Sequence, residues 1–358
     1  MIKQLDLDRI GWGLEAWLGG RLPGATGVRV SNLVRPSLGM SNDTAVFDLA
    51  WRDRDGMHDQ RMVARLLPNE RLVFPEYDLA RQYRVMDALA GTDVPVPRMR
   101  WFESDETAIG QSFFIMDASQ GEAPSDVPPY HSPVGMVYDA TEAERAELWW
   151  NGIDVLARVH RLDWRSLGLS FLGAPESPAA ALDAQLDYWK GYFEWARTDE
   201  PQPVIDAATR WLRENRPVPK RTALCWGDSR LGNILYEDFE VAAVLDWEMA
   251  FLGDPEADLA WWLFIDWNHS EGYSIPRLKG FPTREETVAR YEELTDCAVE
   301  NLHYYEMFAA YRFGTIMARV ATIMRESGLP TPTEDFASNN PCTRRLAELL
   351  GLAPPGAS

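Results

Sequence analysis

At 358 residues the chain is longer than one compact core ordinarily supports, so two lobes or domains are expected. Its hydrophobic fraction of 46% and charged fraction of 25% are those of a soluble globular protein. A formal net charge of −20 argues against a nucleic-acid or anionic-membrane partner, since either needs a basic footprint.

No stretch approaches about 18 uninterrupted apolar residues, so no membrane-spanning helix is expected. The N-terminus carries early acidic residues and no apolar core, which predicts no signal peptide. Cys225, Cys297 and Cys342 are widely spaced and odd in number, the pattern of reduced thiols rather than a disulfide framework. A cytoplasmic protein is expected. Of the fifteen tryptophans several cluster at 149–150, 189–195 and 261–267, and the simplest reading is aromatic core.

In chain order, Leu5, Ile10, Leu14 and Trp17–Leu18 fall at helical spacing, and Gly19–Gly20 ends that run. Val28–Leu33 and Thr44–Trp51 read as strands joined by the turn-rich segment Arg35 to Asp43. A third strand, Gln60–Leu67, pairs with the second across a polar turn at Asp53–His58. Glu76–Ala90 reads as a helix, Thr92–Pro97 as an extended break, and Arg100–Glu103 and Ser112–Met116 as strands. Beyond Gly121, residues 141–162, 178–197, 202–215, 284–298 and 302–327 are helical by period. Short strand runs at Thr222–Trp226, Ile234–Tyr236 and Val241–Leu245 interrupt them, and the Ala353–Ser358 tail is expected to fray. The fold class is α+β: a small β-rich N-lobe over residues 1–117 and a larger, mostly helical C-lobe over 118–358, with a hinge near 117–122.

The chemistry concentrates in Leu224-Cys-Trp-Gly-Asp-Ser-Arg-Leu-Gly-Asn-Ile-Leu-Tyr236, then Val244-Leu-Asp-Trp-Glu248 and Gly253-Asp-Pro-Glu-Ala-Asp258. A short apolar strand delivers Asp228 into a loop, and two strands with a tight connection would bring Asn233 and Asp246 together at its mouth. An amide oxygen and a carboxylate are hard ligands of the kind Mg²⁺ takes beside phosphate oxygens. A second carboxylate in reach can accept the proton of an attacking hydroxyl. That is the minimal equipment of phosphoryl transfer.

These elements resemble the aminoglycoside phosphotransferase-like family, related to choline kinase and to protein kinases, whose pattern is H-G-D-x4-N, then I-D-W/F-E, then G-D-P-x-x-D-L. The resemblance implies a protein-kinase-like two-lobed fold and an ATP- and Mg²⁺-dependent transferase that phosphorylates a small-molecule hydroxyl. It implies Asp228 as the catalytic base or orienting carboxylate and Asn233 and Asp246 as magnesium ligands. Trp226 stands where the pattern has histidine, a residue that braces the loop. Asp258 is expected to anchor the loop, Asp254 to hold a turn, and His160 to brace from the core.

On the nucleotide side, the resemblance places Gly39, Ser41 and Asn42 near the phosphates and Arg65 in the position of the phosphate-gripping lysine. Gln82 takes the place of that lysine's glutamate partner, with Glu76 on the same helix as an alternative. Met116 and Asp117 become the inter-lobe hinge whose backbone meets adenine. Thr92-Asp-Val-Pro-Val-Pro97 is most similar to the subgroup whose kinase-like domains also occur fused to acyl-CoA dehydrogenases. Two acceptor classes stay open, a cationic aminoglycoside or amino alcohol and a hydroxyacyl-type or apolar alcohol. The run Trp261–Trp267 reads either as helix core or as a wall against the latter. A catalytically inactive, nucleotide-binding kinase fold is the alternative, and oligomeric state is not legible.

Overall fold

A computed structural model describes residues 6–36, 43–68 and 72–356. The chain separates into two compact units. The first runs to Ala90 and resumes over Pro97–Ser119; the second combines Gly91–Val96 with everything from Gln120 onward.

The first unit is a twisted antiparallel sheet in the order β1-β2-β3-β5-β4. Its strands are β1 (Thr26–Val34), β2 (Asp43–Asp53), β3 (Gly56–Leu66), β4 (Met99–Glu103) and β5 (Phe113–Asp117). Alternation decides which face is covered: Ala45, Phe47 and Leu49 of β2 and Met62, Ala64 and Leu66 of β3 point inward. Helix α1 (Leu7–Arg21) lays Ile10, Leu14 and Leu18 on that face, closing one apolar core with Phe113 and Ile115.

Helix α2 (Leu79–Leu89) begins three residues later than periodicity predicts. The Asp78 side chain accepts the Arg81 N–H at 2.8 Å, an N-cap that fixes the start. Glu76 therefore lies ahead of the helix, which corrects its placement on α2.

The second unit is built on helices α3 (Met136–Asp139), α4 (Glu142–Arg161), α5 (Pro178–Ala196), α6 (Pro203–Glu214), α7 (Glu256–His269), α8 (Arg284–Thr295), α9 (Leu302–Glu326) and α10 (Pro341–Leu349). Capping boxes at Thr141/Glu144 and Thr283/Glu286 set the starts of α4 and α8. Strand β6 (Ala223–Cys225) pairs with β9 (Phe251–Gly253), and β7 (Ile234–Glu237) with β8 (Glu240–Val244). Helix α7 is apolar around most of its circumference and is buried accordingly, packing on α9 through edge-on contacts of Trp261 and Phe264 with Phe313. Trp149, Trp189, Trp226, Trp247, Trp261 and Trp262 are fully buried core residues, whereas Trp12 and Trp195 are exposed. Helix α10 has no counterpart in the sequence reading.

Candidate active site

The site grows from the turn between β6 and the short helical turn Leu231–Asn233. Gly227 has φ +90°, and a Cβ there would lie 2.1 Å from the Met249 carbonyl oxygen, so only glycine fits. Asp258, in the first turn of α7 and fully buried, clamps the turn from beneath. Its carboxylate accepts the backbone N–H groups of Trp226 (2.6 Å) and Gly227 (2.9 Å), and its carbonyl accepts the Ser229 hydroxyl at 2.8 Å.

His160 Nε2 lies 3.1 Å from the Asp258 carboxylate, and Nδ1 lies 2.6 Å from the Tyr291 hydroxyl. Burial lowers the His160 pKa, so the ring is neutral; since a carboxylate only accepts, Nε2 carries the proton and Nδ1 accepts from Tyr291. Asp258 and His160 thus hold the places the sequence pattern gives to loop braces. Asp254 also looks inward, accepting the Glu256 N–H at 3.1 Å and the Tyr305 hydroxyl at 3.0 Å. His160, Cys225 and Asp258 offer metal-type ligand atoms to one point, but these atoms are engaged with one another or with backbone, which makes the group a brace.

Above this brace, the Asp228 carboxylate accepts three donors. Trp261 Nε1 reaches Oδ1 at 2.9 Å; Arg230 Nε (2.9 Å) and Asn233 Nδ2 (2.7 Å) reach Oδ2. Burial by itself would raise the Asp228 pKa, but the Arg230 charge and the hydrogen bonds outweigh it and hold the group below its ordinary value. Such a carboxylate stays ionised and points one way. Arg230 is held in turn by Asp126, and these two carboxylates overcome burial to keep its guanidinium protonated.

Asn233 spends its Nδ2 on Asp228, donating to its backbone carbonyl at 3.0 Å as well, so the amide oxygen is the atom left for a cation. Pairing of Ile234 with Val244 and the Leu245 N–H to Asn233 carbonyl bond (2.8 Å) bring Asn233 and Asp246 to the same end of the β7–β8 hairpin. Asp246 sits at φ +58°, a turn conformation that carbonyl-bearing short side chains tolerate. An amide oxygen and a carboxylate at one end of a hairpin are donors of the type a hard divalent ion takes. Trp226 stands at the pattern's histidine position. Its indole Nε1 donates to the Leu245 carbonyl at 2.8 Å while its ring lies tilted over Trp247.

In the first unit, Arg65 on β3 is paired with Thr44 of β2, its Nη1 3.4 Å from the threonine hydroxyl. Gln82 is buried on α2, and Met116 is buried at the end of β5. The Asp117 carboxylate is gripped bidentately by Arg100 at 2.5 and 2.9 Å, and its N–H donates to the Arg98 carbonyl. Gly39, Ser41 and Asn42 lie outside the described residues. Sequence reasoning passed over Arg230, although it lies two residues beyond Asp228 within the D-x4-N element. It also passed over Asp126, which no local pattern marks.

Residues 36–294 match the phosphotransferase enzyme family. Acyl-CoA dehydrogenase family member 10 of Mus musculus is 30% identical over 321 residues, covering 86% of this chain and 28% of that protein. Acyl-CoA dehydrogenase family member 11 of Homo sapiens is 30% identical over 290 residues, covering 78% of this chain and 34% of its own length. The chain thus spans about a third of the curated relatives it matches. Among solved structures, a Ralstonia eutropha protein of aminoglycoside-phosphotransferase type superposes with a TM-score of 0.68 at 26% identity, covering 94% of this chain and 96% of that one. Macrolide 2'-phosphotransferase MphH of Brachybacterium faecium shares the fold, with a TM-score of 0.55 at 21% identity over 90% and 99% of the two chains. The expected kinase-like α+β architecture, with its small antiparallel β unit and larger helical unit, is the one observed.

Proposed function

The chain belongs to the phosphotransferase enzyme family, and from that premise we propose that it transfers the γ-phosphoryl group of ATP, with Mg²⁺, to a hydroxyl of a small molecule. The observation that carries this reading is the three-donor cradle around Asp228, next to the hairpin end that gathers Asn233 and Asp246.

Phosphoryl transfer asks a protein mainly to position reactants and neutralise charge. Asp228 Oδ1 and Oδ2 already accept three bonds, so the carboxylate is fixed in direction and lowered in basicity. Its task is to orient the acceptor hydroxyl along the line of attack and to take its proton late, as the new P–O bond forms. The Asn233 amide oxygen and the Asp246 carboxylate would hold Mg²⁺, which supplies charge neutralisation to the phosphates when bound. Arg230, protonated and seated on Asp228, keeps a positive charge beside the reacting groups. Arg65, with a guanidinium suited to phosphate oxygens, is assigned to nucleotide binding along with Gly39, Ser41, Asn42, Gln82, Met116 and Asp117. The acceptor is a small alcohol, and the cytoplasm is the compartment proposed for the reaction.

The test is a screen for ATP-dependent phosphorylated products across aminoglycosides, amino alcohols and hydroxyacyl compounds, with Asp228→Asn as control. Product from the parent, and turnover reduced by about 10² or more in Asp228→Asn at little cost to ATP affinity, is expected. Near-normal turnover in Asp228→Asn would sink the assignment.

A further inference from the structure

Arg312 of α9 is a buried cation, 1% exposed, that makes no ion pair among the described residues. One nitrogen, Nη2, donates to the Gly227 carbonyl at 2.6 Å, while Nε and Nη1 are buried with no hydrogen-bond partner among the described residues. Aromatic rings, rather than a carboxylate in direct contact, surround it. The guanidinium carbon lies 4.3 Å from the Trp261 ring centroid and 5.0 Å from that of Trp189, with Phe308 and Phe251 at 5.7 and 5.9 Å. Leaving a charge and two donors so poorly satisfied is costly, and packing alone would be better served by an apolar side chain of similar volume. Burial pushes the guanidinium down to about 10, with the nearby charges of Asp258 and Asp228 working against that, so it stays charged at neutral pH.

Both things Arg312 touches lead to the same place. Gly227 immediately precedes Asp228, and Trp261 is the residue whose indole Nε1 holds Asp228 Oδ1. A cation on an indole face draws electron density from the ring and strengthens its N–H as a donor. We propose that Arg312 is a positioning residue for the phosphoryl-transfer site: an intentionally unpaired cation that fixes Asp228 from two sides, through the Gly227 carbonyl and through Trp261. This rests on the reading of Asp228 given above.

The test uses the full chain carrying Arg312→Met or Arg312→Lys, with three readouts. These are thermal stability, solvent exchange of the Trp261 indole proton in ¹⁵N-tryptophan-labelled protein (assigned with Trp261→Phe), and phosphate release from Mg²⁺-ATP with water as acceptor. Arg312→Met removes a poorly satisfied buried charge but leaves the Gly227 carbonyl without its donor, so the two effects oppose each other and the melting temperature should change little. It should speed exchange of the Trp261 indole proton about tenfold, as loss of one hydrogen bond predicts. Phosphate release should fall about tenfold or more with KM for ATP within about twofold, the mark of lost alignment rather than lost binding. Arg312→Lys keeps the charge in the cage and should recover part of the indole protection. In a Trp261→Phe background, Arg312→Met should add little.

A folded Arg312→Met protein with unchanged Trp261 exchange overturns the proposal. So does a variant that melts much earlier or does not fold while Arg312→Lys melts normally, since Arg312 would then serve stability alone. The indole comparison needs no turnover, so it decides on Arg312 even if Asp228→Asn leaves phosphate release intact and the phosphotransferase reading fails.

Discussion

The indole nitrogen of Trp226 donates to the carbonyl of Leu245 at 2.8 Å. One buried side chain thereby ties the turn that carries Asp228 to the residue that precedes Asp246. The backbone N–H of the same tryptophan is held by Asp258, so Trp226 is fixed at both ends before it fixes anything else. At the position where the sequence pattern has a histidine, this chain places a tryptophan that ties the turn to Leu245.

The first prediction follows from that bond. Trp226→Phe keeps a large ring in the core but leaves the Leu245 carbonyl without its partner, at a cost of about 1–3 kcal/mol. The melting temperature should fall, and turnover should fall further than stability requires, because Asp246 moves with Leu245. Differential scanning calorimetry and steady-state kinetics would read both. A variant equal to the parent in both would show the tie to be incidental.

Asp246 gives a second. If its carboxylate and the Asn233 amide oxygen share the cation, Asp246→Ala should abolish turnover and remove most of the Mg²⁺ dependence of nucleotide binding. Calorimetric titration of ATP with and without Mg²⁺ checks this. Equal Mg²⁺-ATP affinity in variant and parent would exclude Asp246 as a ligand.

How much of this was legible beforehand depended on how local the cause was. The starts of α4 and α8 fall within a residue of the periodic reading, and Thr141/Glu144 and Thr283/Glu286 cap them locally. The register of β7 and β8 followed from a tight turn between two apolar runs, which is why Asn233 and Asp246 could be placed together. The start of α2 differs from the periodic reading because the apolar face begins only at Leu79, and the Asp78 side chain, which caps the helix, marks where it begins. The Trp261–Trp267 run was ambiguous, since a helix apolar on nearly every side carries no stripe to orient it. Trp261 belongs to the core and also donates to Asp228, so the choice between core and site was too narrow. Arg312 and Asp126 lie roughly 85 and 100 residues from the groups they touch, and no spacing rule spans that distance.

The third prediction concerns Arg65. A guanidinium that contacts phosphate should be missed at the nucleotide step: Arg65→Ala should raise KM for ATP, and Arg65→Lys should recover only part, because an ammonium cannot form two parallel bonds. Gln82→Glu should tighten ATP binding if the two side chains form the phosphate-side pair. An unchanged KM in Arg65→Ala would move the nucleotide assignment to another residue of the sheet.

The last prediction is about pH. His269 ends α7 with its ring buried, Nδ1 unpartnered among the described residues, and Nε2 3.9 Å from Asp126. Burial pushes its pKa from 6.5 down to about 4; Asp126 pulls the other way without restoring it. In the unfolded chain the imidazole titrates near its ordinary value, so below that pH the unfolded state binds a proton the folded state resists. Above pH 6.5 both states are neutral at this residue and it contributes no pH dependence. Between about 6.5 and 4 each unit of falling pH should cost the fold up to about 1.4 kcal/mol, reaching about 3 kcal/mol once the folded ring also protonates. Urea midpoints measured from pH 7 to pH 4 should therefore decline in the parent, and His269→Gln should decline less steeply over the same window. Parallel curves for parent and variant would mean that the folded ring accepts its proton as readily as the unfolded one, with Asp126 close enough to carry the charge.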